Sequence, residues 1–588
     1  MTRRSASLVA AAVTGAALIL PFRTLFPDCS RHRGFLDRDP VDLRVLAPVQ
    51  SGPLVTELAT KTFLTTRPEI GGRCIVVHVD EMFSGDAERA LARGWATPQD
   101  RPDVWMPLTR TWVDLLRKDL LRKGAPPLVP DDVPVIDRTP EVIAMPEPMA
   151  IALGWSREVG WSGTRIGWKD IYDLAQNPEG WKSKGHEEWG RFWLARTNPN
   201  ASTSGLYSTI AAYYAGKRKA GLRNPLDLTS GDLDDARVVD FVKGVESSVL
   251  FYGDSSLNML PRLYDATLRD EATQFVSAIT VAETSVVNYN LGYPTGEAGG
   301  KKREKRDVPR VRLVALYPRE GTLFADLGYV MLNWLEGDKR VAAEKLLRFL
   351  QSETAQRRFQ EHGFRKPDGA EDDVLKGGPW ITADVRTVTR LEPPDPDVVM
   401  AVRDSWAGRR KRARLLIVVD LSEPASRIER VQLAAETVLN ERLHPEDELG
   451  LWALSPGDPS YLELAPLAPL GMQPNRLQAT GPWLPGAPGT RLYVALQEAI
   501  GRFVDAKKIN GIVFLTDGRH NEPGNLNTFL EDLAERRHLG VRVFPIGFGK
   551  DVDCRALRAV ADTSRTKASC HATSETFEKI FTEVVKNF

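Results

Sequence analysis

Apolar and polar positions along this chain follow two alternating rhythms. Short apolar runs bounded by turn residues give way to stretches in which apolar residues return every three or four positions. The first run, through Val41, Leu43, Val45 and Leu46, ends at Ser51, Gly52 and Pro53, which predicts a strand turning into a helix. A second strand is predicted over 74–79, one helix later, and strand, helix, strand in this order predicts parallel α/β structure. Further on, 112–117 is an amphipathic helix, and 192–195 is a short strand ahead of a helix at 206–215. Residues 341–359 predict a single helix with Leu346, Leu347, Phe349 and Leu350 inward. In the last third, 414–419 and 511–516 predict buried strands, each followed at once by an acid, Asp420 and Asp517. The fold class is α/β throughout.

Composition narrows the class. A chain of 588 residues has room for several domains. Lys+Arg and Asp+Glu balance at 78 each, so no bulk attraction for nucleic acid is expected. The 14 tryptophans exceed what core filling needs and suit binding clefts, where an apolar face also offers a polar edge. Near the amino terminus, Arg3 and Arg4 precede an uncharged run at 5–22, rich in Ala, Leu and Val. Residues 1–28 therefore predict an uncleaved membrane anchor, or secondarily a cleaved signal, with the body outside the cytoplasmic membrane. The four cysteines are too few for a disulfide scaffold. Outside the membrane they can pair: Cys554 with Cys570, worth about 3 kcal/mol for a loop of that length, and less strongly Cys29 with Cys74. No zinc spacing, nucleophile elbow or phosphate loop is present, so no enzymatic activity is expected.

Residues 40–390 carry a set of phrases in a particular order. These are Pro102-Asp103-Val104-Trp105, the apolar strand 142–146, Ile166-Gly167-Trp168 ahead of a helix, and the closing stretch from Ala343 to Gly363-Phe364-Arg365. The segment resembles the periplasmic-type extracellular solute-binding protein family. That resemblance implies two α/β lobes closing on a ligand about crossing strands, here 142–146 and 313–318. Lobe one would comprise about 40–142 and 322–390, and lobe two about 146–316. The basic run 301–306 reads as a solvated loop.

Ligand candidates lie where strands meet helices. Ser202, Thr203 and Ser204 open the predicted helix after 192–195, and a helix amino terminus with hydroxyls suits an oxyanion or a polyol. Simple helix capping would use the same residues. Ser51 stands at the first strand-to-helix turn, and Asp103 and Trp105 at a strand end. Glu283, Asn288 and Tyr289 fall where a later strand meets a helix, and Tyr317 lies at the return crossing.

The last third, about 413–588, resembles a von Willebrand factor type A (VWA) domain, a doubly wound, Rossmann-like fold, in three separated pieces taken in order. These are Asp420-Leu421-Ser422, then Gly489-Thr490, then Thr516-Asp517-Gly518. The resemblance implies a metal site for Mg²⁺ or Mn²⁺ built from Asp420, Ser422, Thr490 and Asp517, with an open position for a protein partner's oxygen. Pro424 stands where the family has its second serine, which removes one expected oxygen and predicts weak binding. Residues 391–412, with Pro393, Pro394 and Pro396, form a semi-rigid linker.

These readings combine into a membrane-anchored extracytoplasmic protein that joins a solute-binding module to a VWA interaction module. One alternative is the solute receptor of an ABC-type importer, which leaves the fused module unexplained. Another is a VWA partner of a MoxR-type ATPase, which the apolar run at 5–22 argues against.

Overall fold

The computed structural model describes residues 39–588, apart from 96, 98, 159–165, 296–304, 369–374, 376–377, 383, 421–435, 437–442, 456–457, 473–490, 517–524 and 549–551. Among the described residues no helix is long and apolar enough to cross a membrane. The run at 5–22 and the positions Cys29, Ser422, Pro424, Thr490 and Asp517 lie outside them.

Among the described residues eighteen strands form three sheets. In chain order the first eight are β1 (Val41–Pro48), β2 (Glu69–Ile70), β3 (Arg73–Met82), β4 (Val104–Trp105), β5 (Val135–Pro146), β6 (Leu194–Ala195), β7 (Val249–Phe251) and β8 (Ala278–Ala282). There follow β9 (Leu313–Leu316), β10 (Thr322–Gly328), β11 (Val330–Met331), β12 (Arg390–Leu391), β13 (Ala413–Val419), β14 (Glu448–Leu454), β15 (Tyr461–Pro469), β16 (Ile509–Thr516), β17 (Arg542–Phe548) and β18 (Ser569–Ala572).

The first sheet has the order β11-β4-β1-β3-β2, with β1 parallel to both β3 and β4. Helices cover it, so the central strand β1 reads as a buried apolar run from Val45 onward. The second sheet runs β12-β10-β5-β8-β6-β7, with β9 also on β5. Its longest strand, β5, joins the two lobes. The first half of β5 pairs with β10 (Asp137 opposite Leu327) and the second half with β8 (Glu141 opposite Ala282). β10 then leads into β11, which closes the first sheet, so β5 and β10 are the two strands that cross between lobes. The first crossing thus starts ahead of 142–146, and the second is β10 at 322–328 and not 313–318, where β9 pairs with the second half of β5.

Two predicted helices differ in extent. The helix expected at 206–215 spans Thr203–Lys219, because Ser202 takes the extended cap conformation and the turn after it is already buried. The single helix expected at 341–359 is two, Gly337–Leu350 and Glu353–Glu361. Ser352 accepts from the Ala355 N–H and starts a new helix, a local side-chain bond that competes with helix continuation.

The C-terminal sheet has the order β15-β14-β13-β16-β17-β18, parallel except for the antiparallel edge strand β15. Numbered within the module this is 3-2-1-4-5-6, an order of the doubly wound fold that the resemblance implies. Cys554 and Cys570 form a disulfide with Cα atoms 5.9 Å apart.

The module docks on the second lobe through the amino-terminal ends of its strands. Lys411 Nζ donates to the Val249 carbonyl (2.9 Å), and the Tyr252 N–H donates to the Asn587 carbonyl (3.1 Å). Lys586 pairs with Asp254 (2.7 Å) and Arg537 with Glu271 (3.0 Å). Arg542 is fully buried with its guanidinium 4.2 Å from the Phe251 ring centroid. The carboxyl ends of β13 and β16, where Asp420 lies, are the opposite edge of this sheet.

Candidate binding cleft

Three helix starts meet at the junction of the lobes. Lobe one contributes the helices Ser84–Arg93 and Thr111–Arg122, and lobe two the helix Thr203–Lys219. Trp112 Nε1 donates to Thr203 Oγ1 (2.9 Å), and the Tyr207 hydroxyl bonds Thr109 (2.5 Å) and Thr111 (2.8 Å). The Gly85 N–H donates to the Ala201 carbonyl (3.1 Å), and Arg89 reaches the Asn200 carbonyl. A Cβ at Gly85 would sit 2.1 Å from that Asn200 oxygen, so only glycine allows the backbones to approach this closely. The lobes are closed on each other here.

The predicted site residues separate into two groups. Ser51, Ser202, Thr203, Ser204 and Asn288 lie at the lobe junction. The Ser51 hydroxyl is buried without a hydrogen-bond partner and does not cap its helix. Ser202 accepts from Thr197 (2.9 Å), while Thr203 serves Trp112. Asn288 Nδ2 donates to the carbonyls of Thr284 (2.8 Å) and His362 (3.0 Å).

The other group is engaged by partners away from that contact. The Asp103 carboxylate takes Lys339 (2.9 Å) and the Arg44 N–H (2.8 Å), and Trp105 is buried in β4. Glu283 is fully buried against Arg365 (2.6 and 2.8 Å) and accepts from the Tyr317 hydroxyl, which itself accepts from the Thr382 N–H (3.1 Å). This network ties the end of the segment, Arg365, onto lobe two. Tyr289 is buried edge-on to Tyr264, with ring centroids 6.2 Å apart.

Glu141 and Gln50 were not among the predicted residues. Glu141, on β5, is 8 % exposed, and no cation pairs with its carboxylate among the described residues. Burial raises its pKa to about 7, and the Ser204 hydroxyl beside it offsets part of that shift. A lone acid in the run Pro140-Glu141-Val142-Ile143 was the available signal. Gln50 Oε1 is buried and unpartnered.

Two cavities flank this contact. A small one, about 30 Å³, is lined by Gln50 and Leu54 from lobe one and by Thr284, Ser285 and Asn288 from lobe two. It has room for water but not for a solute, since ligand pockets usually measure about 300–1,000 Å³. On the hinge side a polar cavity of about 420 Å³ lies between Arg110, Tyr207, Asp326 and the segment 391–396.

At the C-terminal rim, Asp420 is buried at the end of β13, and Thr516 Oγ1 donates to its Oδ2 (3.4 Å). A carboxylate at a parallel-strand end beside a hydroxyl fits one hard-cation ligand position. Ser422, Thr490 and Asp517 lie outside the described residues. Among the described residues no group of three or more His, Cys, Asp or Glu could hold a metal ion.

Several solved structures are similar to this chain. The sulfate-binding protein of Mycobacterium tuberculosis H37Rv is 13 % identical over 60 % of this chain and 93 % of that one, with a TM-score of 0.36. A periplasmic thiamin-binding protein is 12 % identical over 63 % of this chain and 95 % of that one, with a TM-score of 0.39. A von Willebrand factor type A structure from Catenulispora acidiphila is 18 % identical over 30 % of this chain and 42 % of that one, with a TM-score of 0.26. No curated protein matches the chain in sequence. Residues 43–365, more than half of the chain, match the family described as bacterial extracellular solute-binding protein, and the chain belongs to that family.

Proposed function

We propose that this chain is a membrane-held extracytoplasmic receptor whose lobes close on a small, donor-rich polar solute, and whose C-terminal module engages a protein partner. Family membership supports solute binding. The observation that carries the solute class is Glu141, a buried carboxylate at the lobe junction that no cation pairs with among the described residues. Buried polar atoms normally find a partner. Gln50 Oε1 is a second buried acceptor. Acceptors of this kind suit a polyol or an amine, and a carboxylate beside the Thr203 helix opposes an oxyanion there. The small size of the cavity beside Asn288 means that binding follows lobe opening. Anchoring rests on the uncharged run at 5–22.

Thermal unfolding of the full chain tests this reading, with polyols, amino sugars and small amines set against sulfate, phosphate and molybdate. A ligand at a hundred times its Kd stabilises by about 2.7 kcal/mol. Stabilisation by a donor-rich compound, lost in Glu141→Gln, is expected. Stabilisation by the oxyanions alone would overturn the solute class.

For the C-terminal module, Asp420 with Ser422, Thr490 and Asp517 would hold Mg²⁺ or Mn²⁺ weakly. A bound ion would supply an open position for a carboxylate oxygen of the partner. Asp420 brings the first negative charge at the rim. Calorimetric titration of Mn²⁺ into the full chain should show stronger binding in Pro424→Ser and none in Asp420→Ala. Absence of binding in both wild type and Pro424→Ser would remove the metal from the proposal.

A further inference from the structure

The linker helix Pro396–Arg409 does not hang free between the modules. Asp395 caps its start by accepting from the Asp397 N–H (2.9 Å), and Val399 and Val402 are wholly buried. On lobe one, Asp397 pairs with Lys118 (2.7 Å) and Arg122 (3.2 Å), both on the helix Thr111–Arg122. On lobe two, Ser405 meets the Tyr213 hydroxyl (3.2 Å) and Arg409 pairs with Asp234 (3.4 Å).

Arg403 spans the seam by itself. Its guanidinium reaches Glu88 of lobe one (3.5 Å) and Asn200 Oδ1 of lobe two (3.4 Å), and it lies over the Trp112 ring at 5.4 Å from the centroid. Trp112 is the residue that bonds Thr203 across the junction. The helix therefore touches both lobes next to the contact that shuts them.

Its two ends are fixed to the moving parts. At the start, β12 pairs with the crossing strand β10, and Tyr214 donates to the Glu392 carbonyl (2.9 Å). At the far end, Arg410 pairs with Asp447 of the C-terminal module and donates to the Phe588 carbonyl (2.8 Å). β13 begins at Ala413, so no slack separates the helix from the central strand of that module.

We infer that the helix Pro396–Arg409 is a clasp seated across both lobes, which couples opening of the cleft to the position of the C-terminal module. A hinge opens only if contacts that bridge its halves are released, and here those contacts belong to the segment that leads into the next module. The inference needs no solute and stands apart from the solute class proposed above.

Hydrogen exchange of the full chain tests it. Arg403→Ala should raise exchange about tenfold in the facing elements 84–93, 111–122 and 200–207, as expected when a bonded charge is lost from a seam, and leave β13–β17 unchanged. Asp397→Lys, at an exposed position that does not threaten folding, should act in the same direction. Adding Lys118→Asp and Arg122→Asp to it should restore protection. Asp338→Ala, which breaks an exposed ion pair with Arg73 away from the seam, serves as control. Faster exchange confined to 396–409, with the lobe elements still protected, would overturn the clasp. So would failure of the charge swap to restore protection.

Discussion

Glu141 carries the clearest chemical statement in the first module. Its ordinary carboxyl pKa near 4.5 rises to about 7 because burial disfavours the charged form. Below about pH 4.5 the group is neutral in both folded and unfolded chains, so it costs nothing. Between 4.5 and 7 the folded state holds a proton that the unfolded state has released, and stability falls as pH rises. Glu141→Gln removes that cost. Thermal unfolding of the full chain should show Glu141→Gln equal to wild type near pH 4.5 and more stable by about 3 kcal/mol near pH 8. An equal effect at both pH values would mean that packing, not ionisation, sets the difference. Glu283 shows the opposite design, a buried carboxylate fully engaged by Arg365, and a pair of that kind is costly to break by removing one partner.

Among the elements, the start of the helix Thr203–Lys219 decides how far the lobes can approach. Gly85 at the start of the helix Ser84–Arg93 lets the Asn200 carbonyl come close, and the Gly85 N–H bonds the next carbonyl, that of Ala201. Gly85→Ala places a methyl 2.1 Å from the Asn200 oxygen. Lobe one can keep its own fold, because the clash lies across the junction and not within its core. Small-angle scattering of the full chain should therefore give a larger radius of gyration for Gly85→Ala, with circular dichroism unchanged. An unaltered radius would show that the Asn200 loop yields instead.

At the scale of the whole molecule, the seat of the C-terminal module encloses basic side chains. Lys411 is enclosed at the seam, donates to the Val249 carbonyl and lies 5.1 Å from the Trp193 ring centroid. Burial lowers its pKa from 10.5 to about 7. Between pH 7 and 10.5 the unfolded state binds a proton that the folded state has shed, so stability rises with pH across that window. This is opposite in sign to Glu141 and acts at higher pH. Lys411→Met should flatten the rise and leave the chain more stable than wild type at pH 6, by about 4–5 kcal/mol at most. Denaturant unfolding at pH 6 and 9 reads both arms; parallel pH slopes in the two proteins would show that Lys411 does not titrate at the seam.

The sequence by itself determined the α/β class, the doubly wound fold of the last third and the Cys554–Cys570 pairing. These follow from runs of apolar residues, from strand-to-helix turns and from a resemblance carried by ordered phrases, all of which are local in the chain. Ser51 and the Ser202–Ser204 cluster could be named as candidates for the same reason, since a hydroxyl at a strand-to-helix turn is visible without knowing what it faces. Only the tertiary structure separated them from Asp103, Trp105, Glu283 and Tyr317, whose partners lie far along the chain, as Lys339 does for Asp103 and Arg365 for Glu283. It also decided that Glu141 is buried with no cation beside it and that Arg403 bridges Glu88 and Asn200. Such facts depend on which surfaces meet when the lobes close. Closure brings together residues more than a hundred positions apart, and no periodicity in the chain records that distance.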